Sequence, residues 1–234
     1  MTKITRVCVF GERVSGTGFV QALFKQNTNL RTVSPYGHKH FYQNIDLLKE
    51  TDSSDTLFVF ITRDLTDWLN SFKNNTFHAD KPIRNCTDMT TFLRMEWKCI
   101  FDQTSGTSET STDYGKEMLC ERNPEDGSRF ENVIRMRNSK MWHFLGIEEI
   151  VDNFVHVRYE DVRDQPRLFV EEVCTMFGIP KIKRFQSVHT VRGKGKVPYT
   201  RKIYTGLSAA DAEFLVGNVD MELERRLGYL EGVD

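Results

Sequence analysis

No run of apolar residues in this 234-residue chain approaches the roughly 18 needed to cross a bilayer, and no apolar stretch of signal-peptide length follows Met1. A cytoplasmic protein with no membrane partner is therefore expected. The cysteines Cys8, Cys86, Cys99, Cys120 and Cys174 are odd in number and lack paired short spacings. That argues against a disulfide framework and a zinc site, and for a reducing compartment. Cys8 and Cys174 fall in apolar patterns and read as core residues. Neither sign of charge is in excess, since 32 Lys and Arg face 33 Asp and Glu, so a general nucleic-acid binder is not indicated. There is no internal repeat. With 39% hydrophobic and 28% charged residues, the chain reads as one α/β domain spanning residues 1–234.

What the chain does have begins at its start. The apolar run Val7-Cys8-Val9-Phe10 leads into Gly11-Glu12-Arg13-Val14-Ser15-Gly16-Thr17-Gly18 and then Phe19-Val20-Gln21-Ala22-Leu23-Phe24. That pattern reads as a strand, a glycine loop and the start of a helix. Gly11 and Gly16 have the spacing of a loop whose backbone N–H groups and helix N-terminus hold a phosphate. The Lys that would reach a β/γ-phosphate in a nucleotide-hydrolysing loop is replaced by Thr17. A second apolar run, Leu57-Phe58-Val59-Phe60-Ile61, reads as a buried parallel strand with Arg63 at its carboxyl end, where open α/β sheets bind ligands. Asp64 is a good N-cap for a following helix, and Ser71 lies eight residues after Arg63. An Arg fork and a Ser hydroxyl can share one phosphate. Residues 181–202 carry Lys181, Lys183, Arg184, Arg192, Lys194, Lys196, Arg201 and Lys202 with no acid among them, which marks an anion site or a basic face.

These residues resemble the sulfotransferases that use 3′-phosphoadenosine 5′-phosphosulfate (PAPS). Ser15-Gly16-Thr17 is similar to the loop that holds the 5′-phosphosulfate, and Arg63 with Ser71 to the pair that holds the 3′-phosphate. Val155-His156-Val157-Arg158-Tyr159-Glu160-Asp161-Val162, then Pro166 and Phe177-Gly178-Ile179-Pro180, resembles a further segment of the family. Residues 78–130 have no counterpart in the resemblance and read as a variable insertion. Many members carry Lys or Arg directly before Ser-Gly-Thr; here Val14 stands there, and the chain is closer to relatives reading Glu-Arg-x-Ser-Gly-Thr. The resemblance implies a three-layer, P-loop-like sulfotransferase fold with a central parallel sheet. It also implies Arg13 as the cation near the sulfate and donor contacts from Ser15, Gly16, Thr17 and Gly18. Arg63 and Ser71 would hold the 3′-phosphate, helped by Arg192, Lys194 and Lys196. For the base it implies a His after the second strand, with His40 first and His38 second, and Lys39 beside them as a supplementary cation. No metal is needed in that scheme; the acceptor would be a hydroxyl or amine, a small molecule or carbohydrate being favoured with peptide tyrosine left open, and 3′-phosphoadenosine 5′-phosphate (PAP) the product. A P-loop kinase of small metabolites and a noncatalytic nucleotide-binding module are the competing readings.

Apolar periodicity predicts strands at 7–10, 57–61, 154–157 and near 31–34, and helices at 18–25, 92–101, 132–145, 167–177 and 209–227. Alternation of the two implies a parallel sheet. The Ser- and Thr-rich residues 103–113 read as a loop, and Trp68 with Phe72, one helical turn apart, as core. His78, His143, His156 and His189 read as structural.

Overall fold

Three runs rich in β-branched and aromatic residues form the strands β1 (Arg6–Phe10), β3 (Thr56–Thr62) and β4 (Phe154–Arg158), and the exposed pair Arg31–Thr32 forms β2. All pair in parallel, in the order β2-β1-β3-β4. Every residue of β3 is buried, as a strand covered on both faces requires. The computed structural model describes residues 2–190, 197–204 and 206–230. They fall into two units, Met1–Asp64 with His143–Ile203, and Leu65–Trp142 with Tyr204–Asp234.

The first unit holds the sheet. Val7, Val9, Leu57, Val59 and Ile61 face one layer, where they pack with Val20, Leu23 and Phe24 of helix α1 (Thr17–Asn27). Phe169, Val170 and Val173 join the same core from a later helix (Pro166–Met176). On the opposite face Phe10 and Phe60 meet Phe144 at 5.4 and 5.5 Å between ring centres. Tyr36 covers Phe58 at 5.7 Å. Helix α2 (Ile45–Glu50) lies between β2 and β3 in the chain.

The second unit is built largely from helices. They are α3 (Leu65–Lys73), α4 (Lys81–Arg84), α5 (Met89–Arg94) and α6 (Val133–Gly146), whose last turn from His143 belongs to the first unit. The first unit continues after β4 with α7 (Tyr159–Asp164) and α8, the Pro166–Met176 helix. The second unit then ends with α9 (Ala209–Asn218) and α10 (Met221–Arg226). Trp68 and Phe72 are core, stacked at 4.9 Å, with Trp97 5.4 Å from Phe72.

Two expected helices differ. The 92–101 helix ends at Arg94, because Trp97 N–H donates to the Phe130 carbonyl and Cys99 bridges Ala79. Trp97 and Cys99 are buried while Lys98 and Ile100 are only partly so, a period of two rather than 3.6. The 209–227 helix is broken at Val219, which is extended, and Asp220 caps a new helix by accepting from Leu223 N–H. Among the described residues no helix is long and apolar enough to cross a membrane.

Candidate functional site at the strand ends of the first unit

The strand order places a switch at β1, since the chain leaves β1 for β2 on one side and returns to β3 on the other. Ligand crevices of open α/β sheets lie outside the carboxyl ends of strands at such a point. The glycine loop follows β1 and Arg63 follows β3.

The loop's shape rests on close approach. A Cβ on Gly11, whose φ is 153°, would lie 2.3 Å from the Ile61 carbonyl oxygen. One on Gly16, at φ 97°, would lie 2.5 Å from Cδ2 of Tyr159. Ser15 N–H donates to the Glu12 carbonyl at 3.2 Å, closing a turn in which Val14 has φ 59°. Turns with positive φ at that position ordinarily take Gly or Asn. Gly16 heads α1 without a side-chain cap, so the first-turn N–H groups of Thr17 and Gly18 have no intrahelical acceptor. Such donors and the helix dipole favour an anion.

Arg13 is 1% exposed and its Nε donates to Glu12 Oε1 at 2.6 Å, while its backbone N–H reaches the same oxygen at 2.7 Å. The guanidinium lies 6.0 Å from the centre of the Phe41 ring. The loop cation thus shares its charge with a buried carboxylate. Glu12 did not stand out in the sequence as a site residue, although the adjacent Glu-Arg pair after an apolar strand was a usable signal.

Residues 36–42 close over the loop from β2. Gly11 N–H donates to the Lys39 carbonyl at 3.0 Å, and His40 Nδ1 lies 2.7 Å from the Gly11 carbonyl. A carbonyl only accepts, so Nδ1 carries the proton and Nε2 the lone pair in the neutral ring. Burial pushes the imidazole down to about 3, opposed by that hydrogen bond and by Glu12, so His40 is neutral near pH 7. His38 is exposed, with its ring 5.2 Å from that of His40. Lys39 Nζ lies 3.4 Å from Gln21 Oε1.

Arg63 donates from Nη1 to the Val14 carbonyl at 3.1 Å, and its Cζ lies 5.0 Å from the Tyr159 ring centre. Tyr159 was missed as a site element; its hydroxyl meets that of Tyr199 at 2.9 Å, and Arg163 lies 5.7 Å from its ring. Glu160 Oε1 accepts from Asp64 N–H at 3.2 Å, linking the ends of β4 and β3. Asp161 pairs with Arg158. The structure therefore gathers the loop, His38 to His40 and Arg63 at one set of strand ends. Ser71 is carried by α3 of the second unit, half-buried, with its carbonyl accepting from Asn75. Arg192, Lys194 and Lys196 lie outside the described residues.

Two of the remaining histidines have side-chain hydrogen-bond partners. His143 Nε2 accepts from Gln43 N–H, and His156 Nε2 pairs with Thr62 Oγ1 at 2.8 Å. Among the described residues no group of three or more His, Cys, Asp or Glu could hold a metal ion, and the five cysteines form no disulfide. Comparisons of the chain with protein-family models, with curated proteins and with solved structures find no match.

Proposed function

We propose that the chain is a cytoplasmic, PAPS-dependent sulfotransferase with the P-loop-like fold of that family. The observation that carries this reading is that Arg63 and His40 both hydrogen-bond to the backbone of one glycine loop at the β1/β3 switch. A loop lacking the phosphate-reaching Lys, joined to a strand-end Arg and a neutral imidazole, suits a nucleotide with phosphate at both ends better than ATP.

In the proposed reaction an acceptor hydroxyl or amine attacks the sulfur of PAPS. The bond from sulfur to the bridging oxygen breaks, and PAP departs with the electron pair. The acceptor's proton passes to Nε2 of His40, whose ring is oriented through Nδ1. Ser15 to Gly18 would hold the 5′ end, with Arg13 and Lys39 supplying positive charge as sulfur–oxygen cleavage builds charge on the leaving oxygen. Arg63, with Arg192, Lys194 and Lys196, would take the 3′-phosphate. The acceptor class we favour is a small molecule or a carbohydrate, and no step uses a metal.

The buried pairing of Arg13 with Glu12 favours a second reading, a nucleotide-binding module without turnover. Calorimetric titration with PAP, ADP and ATP, without magnesium and then with it, tests both. Micromolar binding that depends on the 3′-phosphate is expected, and preference for ATP with magnesium would replace the proposal by a kinase. Binding of PAP with no turnover against any acceptor would select the module.

A further inference from the structure

Val14 is the one β-branched residue with positive φ among the described residues, and β-branched side chains are poorly tolerated there. A backbone held in such a region persists only where its surroundings over-determine it. Two contacts surround this one. Within the loop, Ser15 N–H closes the turn onto the Glu12 carbonyl. From outside the loop, Arg63 Nη1 donates to the Val14 carbonyl, and the same guanidinium lies over the Tyr159 ring. Tyr159 in turn abuts Gly16, where a Cβ would strike its Cδ2. Arg63, Tyr159 and the loop therefore form one closed circuit of contacts.

We propose that Arg63 is a positioning residue for the glycine loop: its hold on the Val14 carbonyl keeps the strained turn in place and so presents the N–H groups of residues 16–18 to the 5′ end of the donor. The proposal rests on the nucleotide reading for its ligand and adds a second task to an arginine otherwise assigned to the 3′-phosphate. The two tasks separate by ligand. A residue that only binds the 3′-phosphate is irrelevant to ADP, which lacks that group. A residue that shapes the loop matters to both.

Magnesium-free calorimetry of Arg63→Ala should weaken ADP by about tenfold, the scale of one strained backbone position. PAP should weaken by about 100-fold, because it also loses a charged hydrogen bond. Val14→Gly removes the strain that Arg63 opposes, since glycine accepts positive φ. In the Val14→Gly background, Arg63→Ala should then cost ADP no more than about twofold while still costing PAP, a coupling that general damage would not produce. Arg63→Met, which keeps the stem against Tyr159 and loses the donor, replaces Arg63→Ala if that variant fails to fold.

A ligand-independent readout keeps this apart from the donor assignment. In the nucleotide-free protein the backbone amide resonances of residues 15–18 should move in Arg63→Ala and return in the double variant. Loss of PAP affinity alone, with ADP affinity and amides unchanged, overturns the positioning role and leaves the donor site standing. If the wild-type protein binds neither nucleotide, the donor reading falls and the amides alone decide: moved and restored supports positioning, unmoved rejects it.

Discussion

The two units bury charge in different ways. In the first, Glu12 and Arg13 are neighbours in sequence, and their pairing also engages the Arg13 backbone N–H, so the charge shapes a loop. In the second, Lys140 pairs with Glu121 and Arg137 with Glu224, ties between segments 19 and 87 residues apart. Glu121 also accepts from Trp97 Nε1 at 3.3 Å, and Arg137 lies 5.8 Å from the Trp68 ring. Its helices α4, α5 and α10 are only 4, 6 and 6 residues long and offer small apolar faces. Local ion pairs set geometry at a site; distant ones hold irregular chain together where no sheet does.

The sharpest way to break that contrast is to orphan one charge in the second unit. Lys140→Met leaves the Glu121 carboxylate buried without its cation and should cost about 3–5 kcal/mol. The double variant Lys140→Met/Glu121→Leu should recover only part of that loss, because an apolar pair replaces the ion pair at little net cost while Trp97 Nε1–H loses its acceptor. All three tryptophans, Trp68, Trp97 and Trp142, belong to this unit, so urea unfolding followed by tryptophan emission reads it directly. A single variant as stable as wild type would remove the distant pair from the account.

In the first unit the corresponding lesion is steric. Gly16→Ala puts a methyl group into the Tyr159 ring at a φ that alanine resists, and should cost about 3 kcal/mol. Calorimetric unfolding checks it, and Tyr159→Ala in the same chain should return part of the loss by opening the space. No such return would mean that φ alone sets the cost.

This contrast also governs what the sequence made legible. The strands were readable because Val7 to Phe10 and Leu57 to Ile61 are continuous apolar runs, and burial on both faces demands that pattern. The placement of the glycine loop and Arg63 at strand ends was readable because each directly follows one of these apolar runs. Residues 92–101 were misread because Leu93, Trp97, Ile100 and Phe101 also fall at helical spacing, while in the fold Trp97 and Cys99 alternate with partly exposed neighbours. Asp220 after Val219 was a capping signal that the long 209–227 pattern obscured. Val14 at positive φ has no sequence signal, since the residue type argues against it. The Tyr159–Tyr199 contact joins residues 40 apart and depends on the fold being complete.

Chemistry offers a smaller lever on the first unit. On the proposed sulfuryl transfer, His40→Ala should lower turnover about 100-fold, near 2.7 kcal/mol of barrier, with PAP affinity kept, once an acceptor is assayed. Unchanged turnover would pass the base to His38. Loss of PAP affinity in step with turnover would instead mean that the His40 bond to the Gly11 carbonyl shapes the loop.

The smallest expected effect separates the units by pH. Burial lowers His40 to about 3 and His156 to about 4, the latter aided by Arg158. Their unfolded counterparts titrate near 6.5. Between pH 6.5 and 5 the native rings stay neutral while the unfolded rings take up protons, so stability must fall as pH falls through that window. Each histidine should remove about 1.5 kcal/mol over the interval. Asp and Glu groups titrate lower, so the interval isolates the histidines. Both lie in the first unit, and the tryptophans in the second. Whole-chain calorimetric unfolding should therefore show the acid sensitivity more strongly than tryptophan emission does. His156→Gln, which can still pair with Thr62 Oγ1, should reduce the calorimetric pH slope by about half. An unaltered slope would mean that His156 is protonated in the folded state as readily as in the unfolded chain.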